Sequence, residues 1–185
     1  MWRRIAVTGA LAVLSVSVIA GPAQAEERVC RGTIGAITVD NLRVPDRASC
    51  TLNGTKVNGT VKVETSAQLV ADVIRVIGNV QAENSAKVVL RDSRVNGSVQ
   101  LEQGAKATVR RNVIGGNLQL KSNDAALVAV ANDIGADLQA FSNKGGVTIR
   151  RNVIDGNLQC KENNPAPVGG GNIVHGNKED QCSKL

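Results

Sequence analysis

Aliphatic residues recur along this chain at a nearly fixed interval. The repeat is plainest in two stretches, RRNVIGGNLQ at 110–119 and RRNVIDGNLQ at 150–159, with a weaker copy, VANDIGADLQ, at 130–139. Aligning the chain on the second glycine of the first stretch gives markers that are 19 residues apart in the first four intervals and 20 in the last three: Asp40, Gly59, Gly78, Gly97, Gly116, Ala136, Gly156 and Gly176. A repeat of this length indicates a solenoid.

Each repeat contains three short apolar segments. One aliphatic residue lies two positions before each marker from Gly59 onward, and apolar residues also lie two and four positions after the markers. A further pair lies nine and seven positions before the next marker, as in Val88 with Leu90 and Val147 with Ile149. Spacing by two is the periodicity of a β-strand. The pattern therefore predicts an all-β chain with three short strands per repeat.

Stacking these repeats predicts a single-domain parallel β-helix over residues 26–185, built from triangular coils with the length of the repeat. Each strand would pair in parallel with its counterpart about 4.8 Å away in the next coil. The uneven spacing of the inward residues favours a right-handed coil. The extra residue of the longer coils falls in a turn, which leaves the strands in register. An antiparallel β-sandwich is the alternative, because Asn58-Gly59 and Asn96-Gly97 would suit hairpin turns, but it does not explain the fixed period.

Polar residues repeat with the same period. Gln occupies the third position after five consecutive markers, from Gln81 to Gln159, and Asn, Ser or Thr usually follows the marker directly. Asn also stands four positions before the later markers, at Asn112, Asn132, Asn152 and Asn172. We place all three columns on the outside of the coil and predict that their side chains form hydrogen-bonded structural ladders, as amides do in cross-β stacks.

Residues 1–25 have the organisation of a secretory signal peptide. Two arginines precede an apolar run at 5–20, and Ala23-Gln24-Ala25 forms an A-x-A cleavage site. The run has 16 residues, whereas a membrane helix needs about 20. We therefore expect a secreted protein that begins at Glu26, has no membrane span after cleavage, and is extracellular or cell-wall associated.

The composition of the mature chain limits its partners. Removing the two leader arginines leaves 20 basic and 16 acidic residues and a net charge of +4, which is too small to indicate nucleic-acid binding. The whole sequence has one Trp, one Phe and no Tyr, so it lacks aromatic platforms for bases or sugar rings.

The four cysteines fit an oxidising compartment. They are even in number, and in an exported protein disulfides are expected before metal ligation. Cys30 and Cys50, like Cys160 and Cys182, are separated by about one coil. Stacking alone would bring each pair together, so we predict the disulfides Cys30–Cys50 and Cys160–Cys182 as caps at the two ends.

One histidine and three aspartates are the candidates for chemistry. His175 and Asp155 occupy equivalent positions in adjacent coils, and a carboxylate could orient the imidazole as a base. No nucleophile is placed beside them, so we interpret them as a surface ion pair and assign no catalytic residue. Asp133, Asp137 and Asp155 lie around one corner and could ligate calcium. This suggests an alternative function, a calcium-dependent, lyase-like enzyme acting on polysaccharides, although solvated turn aspartates without a cofactor are the interpretation we favour.

A basic stripe is the candidate for partner binding. It is formed by Arg110, Arg111, Arg150 and Arg151, with Arg91 and Arg94 beside them, and is interrupted at Val130 and Ala131. Such a stripe could attach weakly to an anionic cell-wall polymer or to another surface protein.

The export signal, the repeat and the ending GNLQCKENNPAP…GGGN…GNKEDQC together resemble uncharacterised secreted β-helix repeat proteins of actinomycete-like bacteria. This resemblance implies the fold and secretion but no activity and no catalytic residues. The aliphatic coil is more distantly similar to the bactofilin core, which implies self-assembly through coil ends. The chain departs from bactofilins by its export signal and its predicted terminal disulfides. The function we expect is that of a non-catalytic structural or adhesive protein at the bacterial surface or in the medium.

Overall fold

The computed structural model describes residues 26–185, and the regular structure in this range is all β. The predicted signal peptide at 1–25 lies outside the described residues. No helix that could span a membrane occurs in residues 26–185. The strands are β1 (Glu27–Val29), β2 (Gly32–Ile34), β3 (Thr38–Val39), β4 (Asn41–Val44), β5 (Ser49–Asn53), β6 (Lys56–Val57), β7 (Val61–Val63), β8 (Gln68–Asp72), β9 (Arg75–Val76), β10 (Val80–Glu83), β11 (Lys87–Arg91), β12 (Arg94–Val95), β13 (Val99–Glu102), β14 (Lys106–Arg110), β15 (Val113–Ile114), β16 (Leu118–Lys121), β17 (Leu127–Val130), β18 (Asp133–Ile134), β19 (Leu138–Phe141), β20 (Val147–Arg150), β21 (Val153–Ile154), β22 (Leu158–Lys161), β23 (Val168–Gly170), β24 (Ile173–Val174) and β25 (Lys178–Asp180).

Every third strand belongs to the same parallel sheet, so three sheets form the three sides of the coil. Sheet 1 has nine strands and runs from β1 through β4 to β25. Sheet 2 has eight strands, from β2 to β23, and sheet 3 has eight, from β3 to β24. This arrangement confirms the predicted single-domain parallel β-helix with triangular coils.

The strand register follows the repeat read from the sequence. Val99 pairs with Leu118 at the shorter repeat interval, and Leu118 pairs with Leu138 at the longer repeat interval. The change occurs after Lys121, which still lies opposite Glu102, and before Leu127, which lies opposite Ala107. The first extra residue therefore falls in the turn between sheets 1 and 2, as predicted.

The first coil is shorter than the others. On sheet 3, Thr38 of β3 lies opposite Lys56 of β6, and on sheet 1, Glu27 of β1 lies opposite Asn41 of β4. Both separations are below the regular interval. The stack therefore begins with an abbreviated turn.

The core is a set of aliphatic ladders that run along the coil axis. In sheet 3 one such ladder consists of Val95, Ile114, Ile134 and Ile154, all of which are buried. Each coil buries its inner side chains only because its neighbours cover them, which is the cooperative logic of a solenoid. Phe141, the one aromatic residue in the described part of the chain, points outward on sheet 1 and is half-buried.

Two corners of the coil turn through residues in the left-handed region. At the corner between sheets 2 and 3 the residues with positive φ are Gly54, Val73, Asp92, Arg111, Ala131, Arg151 and Gly171. Glycine adopts this conformation at little cost, whereas an L-residue loses roughly 1–2 kcal/mol. Val73, with φ of 55° and 62% exposure, is the β-branched member of the corner. The branched side chain therefore disfavours the backbone conformation that this corner requires, and it adds nothing to the core.

Replacing this valine with a residue that tolerates positive φ is expected to stabilise the protein. Val73→Asn should raise the free energy of unfolding by about 1 kcal/mol, because Asn is enriched in the left-handed region. Urea denaturation followed by circular dichroism measures the change. Ile77→Asn is the matched control, since Ile77 is also an exposed aliphatic residue (40%) but has no positive φ. An equal gain in both variants would contradict the explanation.

Candidate functional site

The column of asparagines that precedes the later markers lies inside the coil, which corrects its predicted outer position. The side chains of Asn112, Asn132, Asn152 and Asn172 are all buried. Each directly follows a corner residue in the left-handed conformation, and the turn directs the asparagine inward. Polarity alone placed these residues outside, whereas the corner geometry places them in the core.

The buried asparagines satisfy one another. Asn132 Oδ1 accepts hydrogen bonds from the backbone N–H of Asn112 at 3.1 Å and from Asn112 Nδ2 at 3.0 Å. Asn132 Nδ2 donates to the carbonyl of Val109 at 2.9 Å and to Asn152 Oδ1 at 3.0 Å. The pattern continues to Asn172. No buried side-chain nitrogen or oxygen in the described residues lacks a partner, so the column has a structural role.

A second buried ladder was missed from the sequence. It lies at the corner between sheets 1 and 2 and consists of Asn123, Asn143 and Asn163, with Gln181 accepting the last bonds. The signal that could have revealed it is the same interval that separates the other asparagines. This ladder, too, is fully bonded within the protein and offers nothing to a ligand.

The outer polar columns form the predicted ladders. On sheet 1 each glutamine donates to the next, and the chain of bonds runs through Gln81, Gln100, Gln119, Gln139 and Gln159 to Glu179. At the corner between sheets 3 and 1, the side-chain oxygen of each residue accepts the backbone N–H of its counterpart one coil later. The residues that accept these bonds are Asn41, Thr60, Asn79, Ser98, Asn117, Asp137 and Asn157.

The three candidate calcium ligands are not assembled into a site. Asp137 belongs to the ladder at the corner between sheets 3 and 1, where its Oδ1 accepts the N–H of Asn157 at 2.7 Å. Asp133 lies on sheet 3 between Val113 and Val153, and Asp155 contacts His175. Nowhere in residues 26–185 do three or more His, Cys, Asp or Glu side chains lie close enough to hold a metal ion. The calcium-dependent lyase hypothesis therefore has no metal centre in the described part of the chain.

His175 and Asp155 are neighbours, as the repeat predicted. His175 Nδ1 and Asp155 Oδ1 are 3.0 Å apart, and the two side chains are 60% and 57% exposed. Water screens such a pair, so its contribution to stability is small. The geometry fits a surface interaction, and the imidazole is not shielded from water as an enclosed general base would be.

Two arginines of the basic stripe are neutralised by aspartates one coil earlier. Arg111 forms a bidentate pair with Asp92, with both N–O distances at 2.6 Å, and Arg91 forms one with Asp72 at 2.6 and 2.7 Å. The hydrogen bond from Arg111 lowers the pKa of Asp92, and the same bond raises the pKa of Arg111. The hydrogen bond to Asp72 likewise raises the pKa of Arg91. Arg111 is thus already paired with a carboxylate, and its role in partner binding stays a prediction.

The other three candidate arginines are available. Arg110, Arg150 and Arg151 are exposed, and no carboxylate of residues 26–185 lies within ion-pair distance of them. Val130 lies between Arg110 and Arg150 on sheet 2, which confirms the predicted interruption of the stripe. These three arginines therefore lie in the coils on either side of Val130 and Ala131.

Both predicted disulfides are present, one near each end of the coil. The Cα–Cα distances are 5.6 Å for Cys30–Cys50 and 5.3 Å for Cys160–Cys182, and the described residues contain no free cysteine. All four half-cystines are buried. The end coils also expose aliphatic side chains, Val29 and Ile37 at the first end and Val168 and Ile173 at the other. Self-assembly through these ends stays a prediction.

The fold and these contacts define a class of protein: a small parallel β-solenoid joined by amide ladders and holding a disulfide near each end. No family model matches its sequence, and no curated protein or solved structure is significantly similar to it.

Proposed function

We propose that this is a secreted, non-catalytic structural or adhesive protein that attaches to an anionic polymer of the bacterial cell wall. The observation that carries the proposal is the corner where Arg110, Arg150 and Arg151 are exposed without a carboxylate partner in the described residues. Cations that the protein does not neutralise itself are available to an anionic ligand.

The scaffold suits attachment. Parallel strand pairing and internal amide hydrogen bonds hold the outer side chains of adjacent coils about 4.8 Å apart. A polymer can bind to such a surface without a loop of the protein becoming ordered. The entropic cost of binding is therefore low. The His175–Asp155 pair is open to solvent, so it gives no support to a catalytic role.

Secretion is supported by two features. Residues 1–25 have the parts of a signal peptide. The two disulfides are typical of proteins that fold in an oxidising compartment.

Sedimentation with isolated bacterial cell walls tests the proposal. The mature protein should sediment with the walls at low salt and be released at 1 M salt, where the Debye length is about 3 Å. The combined variant Arg110→Gln, Arg150→Gln and Arg151→Gln should reduce the bound fraction severalfold. The control variant Lys62→Gln, Lys121→Gln and Lys161→Gln removes the same charge from sheet 1 and should bind nearly as well as the unmodified protein. Retention that is insensitive to salt and to the arginine changes would contradict the proposal.

A further inference from the structure

Sheet 3 carries three cations in one outward column. Lys56 lies opposite Arg75, and Arg75 lies opposite Arg94, on the adjacent strands β6, β9 and β12. All three are exposed, and none has a carboxylate of residues 26–185 within ion-pair distance. Like charges directly opposite each other destabilise a sheet. The fold therefore places three like charges next to one another in this column, which we call the cationic track. No carboxylate of the described residues pairs with them to offset the repulsion.

The neighbouring column on sheet 2 shows that the same coils can neutralise their arginines. There Arg91 lies opposite Asp72 and forms a bidentate pair with it. On sheet 3 the three cations lie between Thr38 and Val113 in their column, so no carboxylate lies directly opposite any of them. The cationic track thus spans three coils, or two steps of about 4.8 Å along the axis.

Apolar side chains flank the middle of the track. On the coil of Arg75, Val73 and Ile77 are exposed by 62% and 40%. They stand two residues before and two residues after the arginine. A sugar ring presents C–H groups as well as polar groups, so it can contact these methyl groups while its carboxylate meets the arginine. A polyphosphate is polar on all sides and gains nothing from them.

We propose that Lys56, Arg75 and Arg94 bind a linear polysaccharide that carries one carboxylate per sugar, with the polymer parallel to the axis of the coil. The three cations are spaced by coil steps of about 4.8 Å along the axis, so carboxylates on one side of an extended chain can meet them. Each arginine can hold a carboxylate through its planar fork. This site deepens the proposed function and rests on it, because it specifies the anionic polymer and adds a binding surface on sheet 3.

Titration calorimetry with polygalacturonate tests the site, using the mature protein at low salt. The combined variant Lys56→Gln, Arg75→Gln and Arg94→Gln should weaken binding at least about tenfold, since three exposed ion pairs are lost. The control variant Lys62→Gln, Lys121→Gln and Lys161→Gln has the same net charge and should change the affinity less than about twofold. Methyl-esterified polygalacturonate, which lacks the charges, should not bind.

A second variant tests the apolar contacts. Val73→Asn with Ile77→Asn leaves the charge unaltered and should weaken polygalacturonate binding about threefold, the loss expected from removing small apolar contacts. Circular dichroism confirms that each variant is folded. Equal affinity for polyphosphate, or unchanged affinity in the cationic-track variant, would overturn the site. A protein that binds cell walls but not polygalacturonate would retain the proposed function and lose this site, whereas one that binds neither would lose both.

Discussion

Asn132→Ala is expected to lower the free energy of unfolding by about 4 kcal/mol. The substitution removes the acceptor of the buried backbone N–H of Asn112 and the donor to the carbonyl of Val109. Each buried polar group left without a partner costs about 1–3 kcal/mol. The loss is a large share of the roughly 5–15 kcal/mol that is usual for a small domain. Urea denaturation followed by circular dichroism measures it.

Gln119→Ala is the matched control for this variant. Gln119 is also an amide in the middle of a ladder, where it accepts from Gln100 and donates to Gln139. Its ladder lies on the outer face of sheet 1, so water can replace the lost bonds and the cost should be below about 1 kcal/mol. Similar losses in the two variants would show that burial of the inner ladder has no energetic importance.

Removing either disulfide is expected to cost about 3 kcal/mol and to loosen one end of the coil, because the chain-entropy model gives about this value for loops of roughly one coil. The pairs Cys30–Cys50 and Cys160–Cys182 have sequence separations of 20 and 22. We expect the double variant Cys160→Ala and Cys182→Ala to lose amide-exchange protection in β23, β24 and β25, whereas strands β11 to β17 keep theirs. In a solenoid each coil contacts only its neighbours, so an end can fray without the middle.

The double variant Cys30→Ala and Cys50→Ala provides the comparison, because it should loosen β1, β2 and β3 instead. Reduction of the unmodified protein should reproduce both effects. Hydrogen exchange followed by mass spectrometry distinguishes the ends from the centre. A uniform loss of protection along the whole coil would contradict the view that each disulfide acts as a local cap.

The prediction of the disulfides shows why many contacts of a stacked fold can be predicted from its sequence. In most folds the partners of a cysteine depend on the path of the whole chain. Here each cysteine pair is separated by about one coil, so contacts between coils follow from the repeat length. The same reasoning correctly placed His175 beside Asp155 and aligned the outer glutamines.

The features that the sequence did not predict have a common physical origin in the corners. Asn132 was placed outside because it is polar, but the corner turns its side chain inward, where the neighbouring asparagines satisfy it. Asp137 is a candidate calcium ligand by sequence, although a turn aspartate is the favoured interpretation, and only the structure shows that its carboxylate accepts a backbone N–H of the next coil. The stripe pattern makes Arg111 a candidate for partner binding and does not predict its ion pair with Asp92. Alternation of polar and apolar residues describes strands, and it does not describe the direction of a side chain at a turn.

The sequence by itself determined the period, the three parallel sheets, the register and the cysteine pairs, because in a stack all of these follow from one repeat length. Only the tertiary structure decided which amides are buried, which charges are already paired and which remain open to a ligand. Those outcomes depend on left-handed corner residues and on side-chain geometry between coils. Thus Arg91 and Arg111 each form an ion pair with an aspartate. By contrast, Lys56, Arg75 and Arg94 face outward without a carboxylate partner in residues 26–185.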